Sequence, residues 1–120
     1  MKISSCYPLY AANDFSRFMD YMTIQQGYKI LHRNAFGAHK LFTIESESGY
    51  RMDVAYLYGA TEGIYATRIN VDDFQEALDT FTSQGYKVEE PLYENPEMRL
   101  VFLTKEGTGR ICLVEHIHAD

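Results

Sequence analysis

Tryptophan is absent from this 120-residue chain, and cysteine occurs only twice, as Cys6 and Cys112. Two cysteines are too few for the disulfide framework of a small secreted protein, so a reducing cytoplasm is the expected setting. The opening MKISSCYPLY lacks the apolar core of a signal peptide, and no apolar run approaches the roughly 20 residues that a bilayer span requires. Basic residues are few and scattered: 11 Lys and Arg stand against 17 Asp and Glu, for a formal net charge of −6. That balance argues against a nucleic-acid or anionic-membrane surface. Low-complexity segments and charge blocks are missing. So are the nucleophile elbow, the Walker loop, the Rossmann glycine fingerprint and HExxH, which leaves no support for a covalent hydrolase or a nucleotide enzyme.

What is present is a repeat. Asp14, Phe15, Asp20 and Thr23 recur 59 residues later as Asp73, Phe74, Asp79 and Thr82, whereas Gly27, Tyr28 and Lys29 recur 58 residues later as Gly85, Tyr86 and Lys87. One residue has therefore been gained or lost between Thr23 and Gly27. The offset is again 59 between Arg51 of SGYRMDV and Arg110 of TGRICLV, so each copy covers nearly half the chain. At this length the two copies share one domain, residues 1–120, with one module over about 1–59 and the other over about 60–120. Ten Tyr and seven Phe supply enough apolar bulk for a real core.

Each copy has its own helix. Phe15, Phe18, Met19 and Met22, and again Phe74, Ala77, Leu78 and Phe81, stand at i, i+3, i+4 and i+7, which puts four apolar side chains on one face. Asn13 and Asp72 are the expected N-caps, with Gln75 completing a capping box, and Gly27 and Gly85 close the helices. Strands are expected at 2–10, 28–33, 39–45 and 50–58 in the first copy, and at 64–70, 86–92, 98–104 and 110–116 in the second. Pro91 shortens the sixth strand or places it at an edge. Each half then reads βαβββ. Two helices cannot cover both faces of eight strands, so the expected fold is α+β: a curved eight-stranded mixed sheet with two helices outside and a concave cup within.

Alternation assigns the cup residues. Met52, Val54, Ile111 and Leu113 are apolar and should face the helices, which turns Arg51, Asp53, Ala55, Arg110, Cys112 and Val114 inward. Arg68 joins them from the fifth strand unless a bulge reverses it. With only Asp53 to balance three arginines, the expected ligand is a small anionic or zwitterionic organic molecule. A plainer reading has Asp53 paired with Arg51 or Arg110 across the sheet and no ligand. Cys112, His116 and His118 form a rival metal set, although a lone cysteine is more often a small buried hydrophobe. His32 and His39 flank the first hairpin turn and read as surface or rim residues.

The strand-to-helix run CYPLYAANDFSRFMDYM, the QGYK strand entries and the terminal GTGRICLVEH resemble the vicinal oxygen chelate superfamily, the glyoxalase, bleomycin-resistance and extradiol dioxygenase group, over essentially the whole chain. The resemblance places Tyr7 and Leu9 in the cup. It also implies metal-ligand positions at Tyr7, near Ala66, at Asp53 and at Cys112, of which only Asp53 is a carboxylate. It therefore implies a small-molecule binding protein of the bleomycin-resistance kind, without the usual metal and with no cofactor. A glyoxalase-like lyase or isomerase with an atypical metal site is the alternative. The resemblance and the uncovered strand edges both point to a homodimer.

Overall fold

The structure is a computed structural model and describes residues 2–116. Its eight strands are β1 (Ile3–Ala11), β2 (Lys29–Phe36), β3 (His39–Glu45), β4 (Arg51–Tyr56), β5 (Gly63–Val71), β6 (Lys87–Glu94), β7 (Met98–Lys105) and β8 (Gly109–His116). Two helices, α1 (Phe15–Asp20) and α2 (Phe74–Ser83), complete the α+β fold. The mixed sheet has the order β2-β3-β4-β1-β5-β8-β7-β6, with β1/β4 and β5/β8 parallel and the hairpin pairs antiparallel. Both modules thus carry the predicted βαβββ order. The chain divides into two compact units, one of them Tyr7–Tyr65 and the other made of the stretch that ends at Cys6 and the stretch that begins at Ala66. Among the described residues, no helix is long and apolar enough to cross a membrane.

In the Tyr7–Tyr65 unit, Phe15, Met19 and Met22 bury against Ala12, Ile44 and Val54, with Phe18, Phe42, Met52 and Tyr56 packed around them. Tyr10 stacks on Phe18 at 4.5 Å, and Phe15 meets Phe42 edge-on at 4.9 Å. In the other unit, Phe74 and Ala77 bury against Val71, Val101, Leu103, Ile111 and Leu113. Phe81 and Tyr86 meet edge-on at 5.4 Å. Each core is one helix stripe laid on one face of its strands, the pattern that the spacing dictated. A fully buried aliphatic or Phe side chain of this kind contributes roughly 1.5–3 kcal/mol.

The caps lie one residue later than expected. Asp14 accepts from the Arg17 N–H at 3.2 Å and Asp73 from the Glu76 N–H at 3.0 Å. Asn13 and Asp72 fall outside the helices, and the Asp72 carboxylate instead accepts from the Lys2 N–H at 3.1 Å. In each copy two adjacent polar residues compete for the cap, and the one whose oxygen reaches the third residue's N–H prevails.

Helix α1 also differs from the expected single α-helix. After Asp20 it widens into a π-helical turn, Tyr21–Gln25, where the Gln26 N–H bonds the Tyr21 carbonyl at 3.1 Å. The Tyr28 N–H then closes on the Met22 carbonyl, while in the second copy the Tyr86 N–H closes on Phe81. Met22 and Phe81 are repeat equivalents, as are Tyr28 and Tyr86, so the same closing bond spans one more residue in the first copy. The one-residue change of offset is therefore the π turn itself, an insertion absorbed by widening the helix.

Two strands, β2 and β6, run more than one residue past their expected ends. Gly37, at φ +63°, makes the β2–β3 connection tight enough for Phe36 to pair with His39, so β2 continues through Asn34 and Ala35. Strand β6 is terminal in the sheet order, as Pro91 suggested, and its register breaks between Glu89 and Tyr93, where Pro91 cannot donate to the ladder.

Candidate functional site

Strand register fixes which side chains share the face turned away from the helices. In the Tyr7–Tyr65 unit, Asp53 pairs with Leu9 on one side and Thr43 on the other, while Tyr10 and Ile44, on the opposite face, pack against the helix. In the second unit Cys112 pairs with Arg68 and Phe102, and Ile69 and Leu113 turn to α2. No bulge intervenes at Arg68. Arg51, Asp53, Arg68, Arg110 and Cys112 therefore occupy the helix-free faces, and Tyr7 and Leu9 take theirs from alternation along β1.

Burial on these faces is deep and polar. Leu9, Asp53 and Cys112 are 0% exposed and Arg68 is 1% exposed. The Asp53 carboxylate accepts from the Thr43 hydroxyl at 2.6 Å. Arg68 donates through Nε to the Asn70 side-chain oxygen at 2.9 Å, and its Nη2 lies 3.1 Å from the His116 Nε2. Guanidinium has no acceptor, so the His116 Nε2 is the lone-pair nitrogen in that contact. Asn70 in turn donates to the Ser5 hydroxyl at 2.8 Å, and no buried side-chain nitrogen or oxygen among the described residues lacks a partner. Removing a guanidinium or carboxylate from water is costly, and these bonds contribute to offsetting it.

Two of the arginines are engaged differently than alternation alone implied. Arg51 pairs with Glu45 at 2.7 Å, and Arg110 pairs with Glu89 at 2.6 Å, both partly exposed. The expectation that Asp53 alone balances the arginines is thus corrected. Glu45 is the register partner of Arg51 on β3, whereas the corresponding position on β7 is Thr104, so Arg110 reaches one strand further to Glu89. The plainer reading, with Arg51 or Arg110 as the partner of Asp53, had likewise omitted Thr43.

Sequence reasoning missed Thr43, Asn70 and Ser5, and considered His116 only as a metal ligand. Alternation through β3 and β5 would have found Thr43 and Asn70; nothing in the sequence ties Ser5 to Asn70. Cys6 is exposed and Cys112 buried. Among the described residues, no group of three or more His, Cys, Asp or Glu is placed to hold a metal ion, and His118 lies outside them. His32 is exposed and His39 half-buried.

Comparison with solved structures matches nearly the full chain. A methylmalonyl-CoA epimerase from Mycobacterium tuberculosis superposes with a TM-score of 0.72 at 15% identity, covering 94% of this chain and 88% of that one. A Streptomyces coelicolor methylmalonyl-CoA epimerase variant in complex with 2-nitronate-propionyl-CoA gives 0.74 at 13% identity, covering 99% of each chain. A hypothetical protein from Bacillus halodurans C-125 gives 0.72 at 12%, covering 98% and 99%. The chain has the vicinal oxygen chelate fold. No family profile matches it, and no curated protein sequence does. At such identities the likeness establishes the vicinal oxygen chelate architecture and not a reaction.

Proposed function

We propose that this protein binds a small organic acid, free or as a thioester, on the helix-free face around Arg68. The observation that carries the reading is Arg68 itself: the largest side chain among those fully buried is a guanidinium, set on the face that no helix covers. Guanidinium recognises carboxylates through paired, charge-assisted hydrogen bonds. In this proposal the acid takes the place of the His116 imidazole at Arg68 Nη2, entering at the exposed end of β8. Its apolar part rests on Phe102, and Cys112 forms a wall beside it. Tyr7, Leu9 and Asp53 belong to the helix-free face of the other unit, and Arg51 and Arg110, already matched by glutamates, stay peripheral. Structures with the same fold hold methylmalonyl-CoA or 2-nitronate-propionyl-CoA, both organic anions, which supports the ligand class.

Binding without chemistry is the preferred form of this proposal, and a metal-dependent lyase or isomerase is the alternative. Exposed Tyr50, Tyr58 and Ile64, each at least 70% accessible, support association as a homodimer, which sedimentation would detect. The test of function is a thermal-shift and calorimetry panel of methylmalonyl-CoA, methylmalonate and its neutral dimethyl ester. Stabilisation by the acids and not by the ester, reduced in Arg68→Lys, is the expected result. Equal responses to acid and ester would refute the proposal.

A further inference from the structure

The two halves of the repeat treat one place differently. In the second copy, β8 carries Glu115 in register with Arg99 of β7. The Glu115 carboxylate accepts from the Phe74 N–H at 2.7 Å and pairs with the Arg99 guanidinium at 3.0 Å, and that guanidinium lies 4.7 Å from the centre of the Phe74 ring. Carboxylate, cation and aromatic ring close on one another. The capping carboxylate of Asp73 sits beside them and is occupied with Glu76.

Fifty-nine residues earlier the same places hold Tyr56, Lys40 and Phe15. Lys40 is in register with Tyr56, and its ammonium lies over the Phe15 ring at 5.4 Å, as Arg99 does over Phe74. Asp14 is the capping carboxylate, occupied with Arg17. Cation, ring and cap are all retained; the Glu115 carboxylate is not. In its stead there is an open cavity of about 620 Å³ lined by Asn13, Asp14, Phe15, Ser16, Ala38, Lys40 and Tyr56.

We infer that this cavity is a second ligand site, for a small carboxylate with an aromatic or apolar body. The carboxylate takes the place that Glu115 fills in the other half and pairs with the Lys40 ammonium, while its body rests against Phe15, Ala38 and Tyr56. In the second copy Glu115 and the capping Asp73 serve N–H groups two residues apart, those of Phe74 and Glu76, so the negative charge of Asp14 does not exclude a carboxylate; the Glu62 carboxylate at this end is taken up by the Asn13 N–H at 3.2 Å. A dianion has no second cation in the cavity lining to meet it, so monoanions are preferred. The site lies on the helix side of its unit, because Phe15 and Tyr56 belong to the helix-facing cluster. It shares no residue with the Arg68 face, and the two stand or fall independently.

Phenylacetate and its neutral isostere phenylacetamide are suitable probes, followed by amide and ring resonances of Phe15 and Tyr56 in NMR titrations. Phenylacetate is expected to move them saturably at millimolar concentration, and phenylacetamide to bind at least about tenfold more weakly. Lys40→Met should weaken phenylacetate by about tenfold and Lys40→Arg should restore it. Tyr56→Glu recreates the arrangement of the second half: it should raise the melting temperature and abolish the phenylacetate response. Equal binding of acid and amide would overturn the inference, as would a phenylacetate response unchanged in Lys40→Met and Tyr56→Glu. Absence of any response up to about 10 mM would overturn it as well.

Discussion

Leu9 and Arg68 hold the same place in the two copies of the repeat, each lying in register with the last strand of its own half: Leu9 beside Asp53, Arg68 beside Cys112. The duplication has thus been kept in backbone and broken in charge. One half sets a buried carboxylate, Asp53, on its last strand, and the other a buried guanidinium, Arg68, on its first. A charge at either place is costly to bury alone, and each half surrounds its own with different hydrogen-bonding residues, Thr43 in one and Asn70 with His116 in the other.

Loss of the guanidinium should be expensive. Arg68→Met keeps most of the volume but removes donors to Asn70 and His116, and hydrogen bonds to a charged group contribute about 1.5–3 kcal/mol each, so destabilisation by roughly 3 kcal/mol is expected from urea unfolding. Arg51→Ala and Arg110→Ala remove partly exposed ion pairs and should each change stability by about 0–1 kcal/mol.

His116→Ala separates a structural role from a competing one. If an acid displaces the imidazole from Arg68, the variant should bind methylmalonate more tightly than the parent does, by calorimetry. An unchanged affinity would mean that His116 is not displaced, and a weakened one that it assists binding.

Glu115→Gln removes charge from the carboxylate that serves both the Phe74 N–H and Arg99 at the start of α2. A stability loss of about 1–2 kcal/mol is expected from chemical denaturation, the range of a lost helix cap. The fraying should be visible as faster amide exchange in the first turn of α2.

Deleting Ile24 tests the reading of the π turn. This residue is 77% exposed, so its removal forfeits little burial, and the shortened segment has the length of its counterpart before Gly85. The variant should fold with α1 continuous as an α-helix and with stability within about 1 kcal/mol of the parent. A collapse of stability would show that the extra residue is required by its surroundings.

The repeat, the strand order and the helix faces were legible because they rest on periodicities of local sequence: the 59-residue offset, Phe15 to Met22, and Met52 with Val54 against Arg51 with Asp53. Alternation likewise placed Asp53, Arg68 and Cys112 on the helix-free faces. The partners were not legible to the same degree. Whether Arg110 meets an acid on β7 or on β6 depends on one residue, Thr104 in place of Glu45, and on the reach of a side chain across two strands. Nor does the sequence reveal that Tyr56 stands where its counterpart is a bound carboxylate, until the Phe74 N–H and Glu115 are seen together.

Elemental analysis addresses the alternative reading. The binding proposal expects no stoichiometric zinc, nickel, manganese or iron in the purified protein and no change in unfolding on adding chelator. Stoichiometric metal lost together with stability would favour the lyase or isomerase.

The most direct test of the central claim is an NMR titration that tracks the arginine Nε–H resonances as methylmalonate is added. Arg68 donates this proton to Asn70, whereas those of Arg51 and Arg110 go to Glu45 and Glu89, so the three signals report three environments. The account expects the Arg68 resonance to shift saturably while the other two hold their positions. Movement of the Arg51 or Arg110 resonance with Arg68 unmoved would contradict it.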